Sequence, residues 1–146
     1  MQTIETIHID TGIKEYSLNG VVSIFFNPTD LEFIEAVVSA FDRLDEMQQD
    51  YQKRIDAANK DGGELFDITK QMDADIRAVL NEVFGEDVCT PLVGKTRIYA
   101  VADGLPIWAN MLFAIMDLFD SAIVEEKKRT NPRIKKYTEK YSRRGK

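Results

Sequence analysis

The stretch that most constrains the fold is residues 27–59, the longest uninterrupted helical pattern in the chain. Apolar side chains recur there at helical spacing, and Gln48 is the single polar residue on this seam. The apolar members of the seam are Ile34, Val37, Phe41, Leu44, Tyr51, Ile55 and Ala58. Pro28 prevents the helix from extending upstream, and Thr29 followed three residues later by Glu32 is typical of a capping box.

A helix of roughly thirty residues is a rod of about 45 Å, which is longer than a globule formed by a chain of this size. Its first half also carries Leu31, Phe33 and Val38, a wider apolar face that we expect to lie against a core. The second half is mostly polar from Asp45 onward. We therefore expect that half to protrude, or to pair with another helix of this chain or of a neighbouring subunit.

Residues 3–26 carry β-branched and aromatic side chains in three alternating runs, a pattern typical of strands. Residues 10–12 separate the first two runs, and Asn19-Gly20 indicates a tight hairpin because both residues tolerate positive φ. The pattern predicts an antiparallel sheet of two or three strands, which needs a helix on its apolar face. His8, the only histidine, lies on the first run. Without a second His or a nearby Cys, we do not expect it to bind a metal or act as a base.

A second helix is predicted over residues 65–84, where Asp67 or Thr69 could cap the start and Gly85 ends the pattern. Its apolar stripe consists of Met72, Ile76, Val79, Leu80 and Val83. The glycine-containing segment at residues 59–63 predicts that the first two helices form an antiparallel hairpin. We therefore expect the stripe to pack on the seam of the first helix as part of the core.

A third helix is predicted over residues 105–124, with Pro106 in its first turn and Asp103 as a candidate cap. It is apolar almost all round, so it lies either at the centre of a core or between a core and a partner. We expect partner binding through Trp108, Met111, Leu112, Ile115, Met116 and Phe119. The preceding segment, residues 85–104, is less regular, and residues 97–102 fit either a short strand or a helical turn.

Length and composition indicate one domain, since 146 residues can bury a core and 44% apolar residues are typical of a globular chain. We expect a cytoplasmic protein because the chain has no run of about eighteen apolar residues and no secretory leader. Cys89, the only cysteine, is expected to be a small buried hydrophobic residue. Without a phosphate-binding glycine loop, a metal-ligand cluster or a nucleophile paired with a base, we expect neither an enzyme nor a cofactor.

Charge is distributed unevenly between the body and the C-terminal tail. Residues 127–146 hold ten of the 19 Lys and Arg and one of the 25 acidic residues, so the tail is +9, and the net charge of −6 leaves −15 on residues 1–126. Asn131-Pro132 can start a basic helix with an aromatic stripe on one face. We expect it to dock on the acidic body or on a neighbouring copy through Ile134, Tyr137, Tyr141, Lys135 and Lys136. The alternative is a solvated, frayed C-terminus that keeps the protein soluble.

These patterns together predict an α+β, mainly α fold in a single domain. It begins with a small antiparallel β-hairpin or sheet in residues 1–26, followed by a helical core in residues 28–126. The core consists of the long helical hairpin and the apolar third helix. A basic C-terminal helix in residues 127–146 completes the chain.

Several stretches of the sequence carry a resemblance to a known family. They are FNPTDLEFIEAVVSAFDRLD, VFGEDVCTPLVG, and ADGLPIWANMLFAIMD leading to TNPRIKKYTEKY. Together they resemble small tail proteins of temperate phages and prophages of Gram-positive bacteria, encoded between the major tail protein and tape-measure genes and taken to be tail assembly chaperones. The resemblance covers most of the chain. It implies a non-enzymatic protein that binds the long, apolar, coiled-coil tape-measure protein in the host cytoplasm and keeps it soluble until tail-tube subunits polymerise around it.

The sequence pattern is compatible with this chaperone function. A chaperone for a helical client needs apolar grooves, an acidic exterior and several copies, and the chain has an apolar third helix and an acidic body. The long helix is suited to a homo-oligomer. One alternative is a structural tail component of the connector or terminator type, which would stay in the particle. A second is a nucleic-acid-binding protein whose tail stacks Tyr137 and Tyr141 on bases. The charge of −15 on residues 1–126 would repel phosphate.

Overall fold

The structure, a computed structural model, describes residues 2–58, 62–129 and 131–142, with all side chains except that of residue 142. The elements are β1 Lys14–Leu18, β2 Val22–Phe26, α1 Leu31–Ala57, α2 Gly62–Phe84, α3 Cys89–Val93, β3 Val101–Ala102, β4 Leu105–Pro106, α4 Ile107–Lys128 and α5 Pro132–Ser142. Helices account for 64% of the described residues and follow a small antiparallel sheet, which confirms the predicted α+β, mainly α class. The predicted glycine turn between α1 and α2 falls partly on residues 59–61, outside the described residues.

The first hairpin forms where the sequence predicts it. β1 and β2 pair antiparallel with Tyr16 opposite Ile24, and the Val21 N–H donates to the Leu18 carbonyl at 3.1 Å. Asn19 and Gly20 between them have φ of 53° and 73°, the positive values that a type I′ turn requires. The local Asn-Gly signal therefore identifies both the turn and the two strands.

The third strand that alternation suggests does not form, and residues 2–13 have no regular structure. Gly12, at φ 71°, donates its N–H to the Asp10 carboxylate at 2.9 Å, and this turn separates the N-terminal segment from β1. The Asn27 side-chain amide holds the turn by donating to the Thr11 carbonyl at 3.0 Å. His8 accordingly lies on an exposed irregular segment and not on a strand.

Helix α1 starts at a different cap from the predicted box of Thr29 and Glu32. The Asn27 carboxamide oxygen accepts from both the N–H and the hydroxyl of Thr29 at 2.8 Å, so the Thr29 hydroxyl is already used upstream. Asp30 is the N-cap instead, and its carboxylate accepts from the Glu32 N–H at 3.0 Å. The capping-box prediction was wrong because an Asx turn moves the helix start by one residue.

The predicted seam of α1 faces the core, where Val37, Leu44 and Tyr51 are buried. The wider apolar face is only partly correct. Phe33 is half-buried, whereas Leu31 is 75% exposed and Val38 44% exposed. Helices α2 and α4 both contact α1, and these contacts leave Leu31 and Val38 exposed.

Helices α1 and α2 form an antiparallel hairpin, as predicted. Arg43 pairs with Glu82 at 3.9 Å near one end, and the Tyr51 hydroxyl donates to the Asp75 carboxylate further along. The buried stripe of α2 consists of Met72, Ile76, Val79 and Leu80, with Val83 half-buried. The polar second half of α1 therefore pairs with a helix of its own chain.

The predicted caps of α2 are wrong, because the helix begins at Gly62 and both candidates lie inside it. Asp67 is exposed within the helix. The Thr69 hydroxyl donates back to the Leu65 carbonyl at 3.0 Å. Gly85, at φ 73°, does end the helix as predicted.

The irregular segment contains two elements that the sequence did not resolve, α3 and a tight β3–β4 hairpin. Asp103 and Gly104 are its turn, with φ of 54° and 77°, so Asp103 is not the predicted cap of the third helix. The first N–H groups of α4 are satisfied by backbone instead, since Ile107 donates to the Ala100 carbonyl at 2.9 Å and Trp108 to the Ile98 carbonyl at 3.2 Å.

Helix α4 runs antiparallel to α1 through the centre of the fold. The Trp108 indole N–H donates to the Gln48 carboxamide oxygen at 2.6 Å, which explains the single polar residue on the α1 seam. At the other end, the ring centroids of Phe33 and Phe119 are 5.9 Å apart, and Phe26 of the sheet stacks on Phe33 at 4.5 Å. The sheet is therefore covered by the start of α1 and by α4.

Candidate interaction surface

The partner-binding residues predicted on the third helix lie mainly inside the fold. Trp108, Met111, Leu112, Ile115 and Phe119 are buried and Met116 is half-buried. The apolar pattern left open whether this helix face belongs to the core or to an interface, and in the structure it belongs to the core. A partner could contact these side chains only if the core opened, so partner binding through them stays a prediction. Helix α4 is also long and apolar enough to cross a membrane by length and composition, and 33% of its apolar window is buried inside the fold.

The outward face of α4 carries a different set of residues, which the sequence did not single out. Phe113, Asp117, Asp120 and Val124 recur at spacings of four, three and four residues, and all are exposed. The ring of Phe113 lies 4.9 Å from that of Phe41, so it marks the junction between α4 and α1. This face combines apolar ends with two carboxylates between them.

Helix α5 starts where the tail sequence predicts, since the Asn131 carboxamide oxygen caps it by accepting from the Arg133 N–H at 3.0 Å. Every side chain described from residue 131 to 141 is exposed. The predicted docking residues share this helix, namely Ile134, Lys135, Lys136, Tyr137 and Tyr141. The Tyr137 and Tyr141 rings stack at 6.3 Å. The Lys136 ammonium lies 5.6 Å from the Tyr137 ring and the Lys140 ammonium 5.5 Å from the Tyr141 ring.

A groove of about 1070 Å³ lies between the N-terminal segment and the junction of α4 with α5. Its lining includes Ile7, His8 and Ile9 on one side and Ala122, Glu125 and Arg133 on the other. The N-terminal segment also exposes Ile4 and Ile13. Alternation alone suggested a buried face for these isoleucines, and the structure instead leaves all four exposed.

A buried carboxylate joins α2 to the segment before β3, and sequence reasoning missed it. Asp73 Oδ1 accepts from the Ile98 N–H at 2.7 Å, and Oδ2 lies 3.0 Å from Arg77 Nε and 3.5 Å from Arg97 Nη1. Arg77 Nε does not point at the carboxylate, so that contact is an ion pair and not a hydrogen bond. Arg77 Nη2 donates to the Gly94 and Thr96 carbonyls at 2.8 Å each. Asp73 and Arg77 thus hold this segment against α2.

Two ionisable groups near the core have shifted pKa values. Burial is the main cause that raises the pKa of the Tyr51 phenol, and its hydrogen bond to the Asp75 carboxylate adds to this effect. Burial likewise raises the pKa of the Cys89 thiol from 9.0 to about 11. Cys89 is fully buried, as predicted. A protonated, inaccessible thiol is not a nucleophile.

The Cys89 pKa predicts a change in stability at alkaline pH. The stability from keeping the thiol neutral is fully present below pH 9.0 and is lost as the pH rises towards about 11. We expect the wild type to lose up to about 1.4 kcal/mol per pH unit more than Cys89→Ala in this window. Urea unfolding of both proteins on either side of pH 9.0 measures the difference. If the free energy of unfolding changed with pH in the same way in both proteins, the raised pKa of Cys89 would be contradicted.

Within residues 2–58, 62–129 and 131–142, no group of three or more His, Cys, Asp or Glu side chains could hold a metal ion. Comparisons with protein-family models, curated proteins and solved structures find no match to this chain. The surfaces described above are therefore the observations from which a function is inferred.

Proposed function

We propose that this protein is a non-enzymatic tail assembly chaperone that works as a homo-oligomer in the bacterial host cytoplasm. Its client would be a long, apolar, helical protein of the tape-measure kind. The observation that carries the proposal is the placement of exposed apolar side chains on both terminal segments beside the groove. Ile7 and Ile9 line it directly, and Ile134 and Tyr137 are exposed on the helix that begins at its edge. The identity of the client comes from the resemblance of the sequence.

Exposed apolar residues gathered in one region support a binding role because isolated surface isoleucines need no partner, whereas a group of them marks an interaction site. The N-terminal segment exposes four isoleucines: Ile4, Ile7, Ile9 and Ile13. Charged residues of both signs, such as Glu125 and Arg129, line the same groove and would keep the protein soluble when no client is bound. Several copies along a long client would raise the overall affinity through multivalency.

Coexpression with a tape-measure protein tests this proposal through the soluble fraction of that client. We expect the wild-type chain to keep the client in the supernatant. The double variant Ile7→Asn with Ile9→Asn should lose most of this effect, because it removes apolar contact area from the groove without touching the core. Phe66→Asn is the matched control, since Phe66 is 72% exposed on α2 and does not line the groove.

The control should behave as wild type, and circular dichroism should show all three proteins equally folded. A client that precipitates to the same extent with and without the wild-type chain would contradict the proposal.

A structural tail component is the main alternative, in which the same oligomer remains in the finished particle. Mass spectrometry of purified particles separates the two functions. A chaperone should be absent from the particle, whereas a connector or terminator subunit should be present in fixed copy number.

Nucleic-acid binding is a second alternative, favoured by the tyrosines and cations of α5. Arg133 and Lys136 both lie within 6 Å of the Tyr137 ring, at 5.9 Å and 5.6 Å, an arrangement that also suits base stacking. This function predicts binding that requires residues 127–146 and weakens steeply with salt.

A further inference from the structure

We infer that α5 of one copy docks on the outward face of α4 in a second copy. This face, defined by Phe113, Asp117, Asp120 and Val124, is called the acidic face below. The inference rests on the homo-oligomer in the proposed function and identifies the two surfaces that would form it.

Charge complementarity is the first argument. The acidic face lies in a stretch, residues 98–126, that contains no Lys or Arg. Helix α5 offers Arg133, Lys135, Lys136 and Lys140 against the single acid Glu139. Among the described residues, no ion pair joins these cations to the body. Complementary surfaces of this kind set the orientation and the rate of association.

Both surfaces also carry exposed apolar side chains beside their charges. On α5, Ile134 and Tyr141 are seven residues apart, a span of about 10 Å. On the acidic face, Phe113 and Val124 are separated by about 16 Å, with the two aspartates between them. A tyrosine of α5 placed on the Phe113 ring would bring neighbouring lysines within reach of Asp117 and Asp120.

The short connection between α4 and α5 prevents Tyr137 from reaching the Phe113 ring of its own chain. Only residues 129–131 separate Lys128 from Pro132. If α5 folded back along its own α4, Tyr137 would stop about 15 Å short of Phe113. Contact between these two rings therefore requires two chains.

Cross-linking between two tagged copies tests this contact. One copy carries Tyr137→Cys and the other Phe113→Cys, while the native Cys89 is fully buried and does not compete. We expect several-fold more disulfide-linked heterodimer than with Phe66→Cys in place of Phe113→Cys. The control residue is also an exposed phenylalanine, but it lies on α2. A yield no higher than this control would overturn the inference.

Charge reversal gives a second, independent measurement. Lys135→Glu with Lys136→Glu should reduce the mass in solution to that of the 16.7 kDa monomer. Asp117→Lys with Asp120→Lys should do the same, and mixing the two variants should restore the oligomer. Unchanged mass in either variant, or a wild type that is monomeric at every concentration, would overturn the docking.

The experiments distinguish a failure of the docking of α5 from a failure of the proposed chaperone function. If charge reversal leaves the mass unchanged while the wild type still holds the client, the docking is wrong and the chaperone function stands. If the paired charge variants behave as expected but the client precipitates, the docking is right and the chaperone function is wrong.

Discussion

Replacing Asp73 by alanine should lower the free energy of unfolding by about 3–5 kcal/mol, the cost expected when one partner of a buried ion pair is removed. The Asp73 side chain is 8% exposed and that of Arg77 17% exposed. Without the carboxylate, the largely buried guanidinium of Arg77 loses its counter-ion and keeps only its two carbonyl partners, and the Ile98 N–H loses its acceptor. The segment between α3 and β3 should detach from α2 first. Urea unfolding followed by circular dichroism measures the change.

Asp73→Asn is the matched control for this effect. The asparagine keeps an oxygen for the Ile98 N–H at the position of Oδ1 and loses only the charge. We expect it to recover a substantial part of the loss. Arg97→Ala should cost about 1 kcal/mol or less, because the Arg97 side chain is half-exposed and a surface ion pair contributes little. An alanine variant at Asp73 as stable as wild type would show that this carboxylate does not hold the fold together.

Trp108→Ala should destabilise the protein by about 3–5 kcal/mol, as expected for a large aromatic residue removed from a core. The substitution leaves a cavity beside Phe41, whose ring centroid is 5.5 Å from that of Trp108. It also leaves the Gln48 carboxamide without its donor. Thermal and urea unfolding measure the loss. Weakened client binding in a fully stable variant would contradict the placement of this face of α4 in the core.

Two further substitutions on α4 serve as comparisons for Trp108→Ala. Trp108→Phe keeps most of the ring volume but removes the indole N–H, so we expect a smaller cost of about 1–3 kcal/mol. Phe113→Ala removes a partly exposed ring from the outward face and should cost less than Trp108→Ala. If both alanine variants lost the same stability, the assignment of Trp108 to the core and of Phe113 to the outward face of α4 would be wrong.

Local signals in the sequence were sufficient for most elements of the fold. The turn residues Asn19 and Gly20, the α2 stripe and the Asn131 cap each depend on neighbours a few positions away. Two features that the sequence did not reveal depend on distant partners. Gln48 interrupts the α1 seam for a reason that lies 60 residues further on, at Trp108. In the sequence, Asp73 looks like any other acidic residue on a helix, because its partner, the backbone N–H of Ile98, lies 25 residues further on.

Two predictions failed because a pattern fitted more than one structure. The isoleucines of the N-terminal segment have strand propensity, but a strand also needs a partner, and the turn at Gly12 separates them from β1. The Asp103-Gly104 pair is a hairpin signal in its own right, yet the strands beside it have two residues each. Similarly, an apolar helix does not show from its composition which face is buried. The acidic face of α4 could therefore be identified only from the structure.

Mass in solution by light scattering tests the central claim most directly, for the protein alone and after coexpression with a tape-measure protein. We expect a defined homo-oligomer of the 16.7 kDa chain and, with the client, a larger complex of fixed composition. A monomer that does not associate with the client would contradict the proposed function and direct attention to salt-dependent nucleic-acid binding by α5.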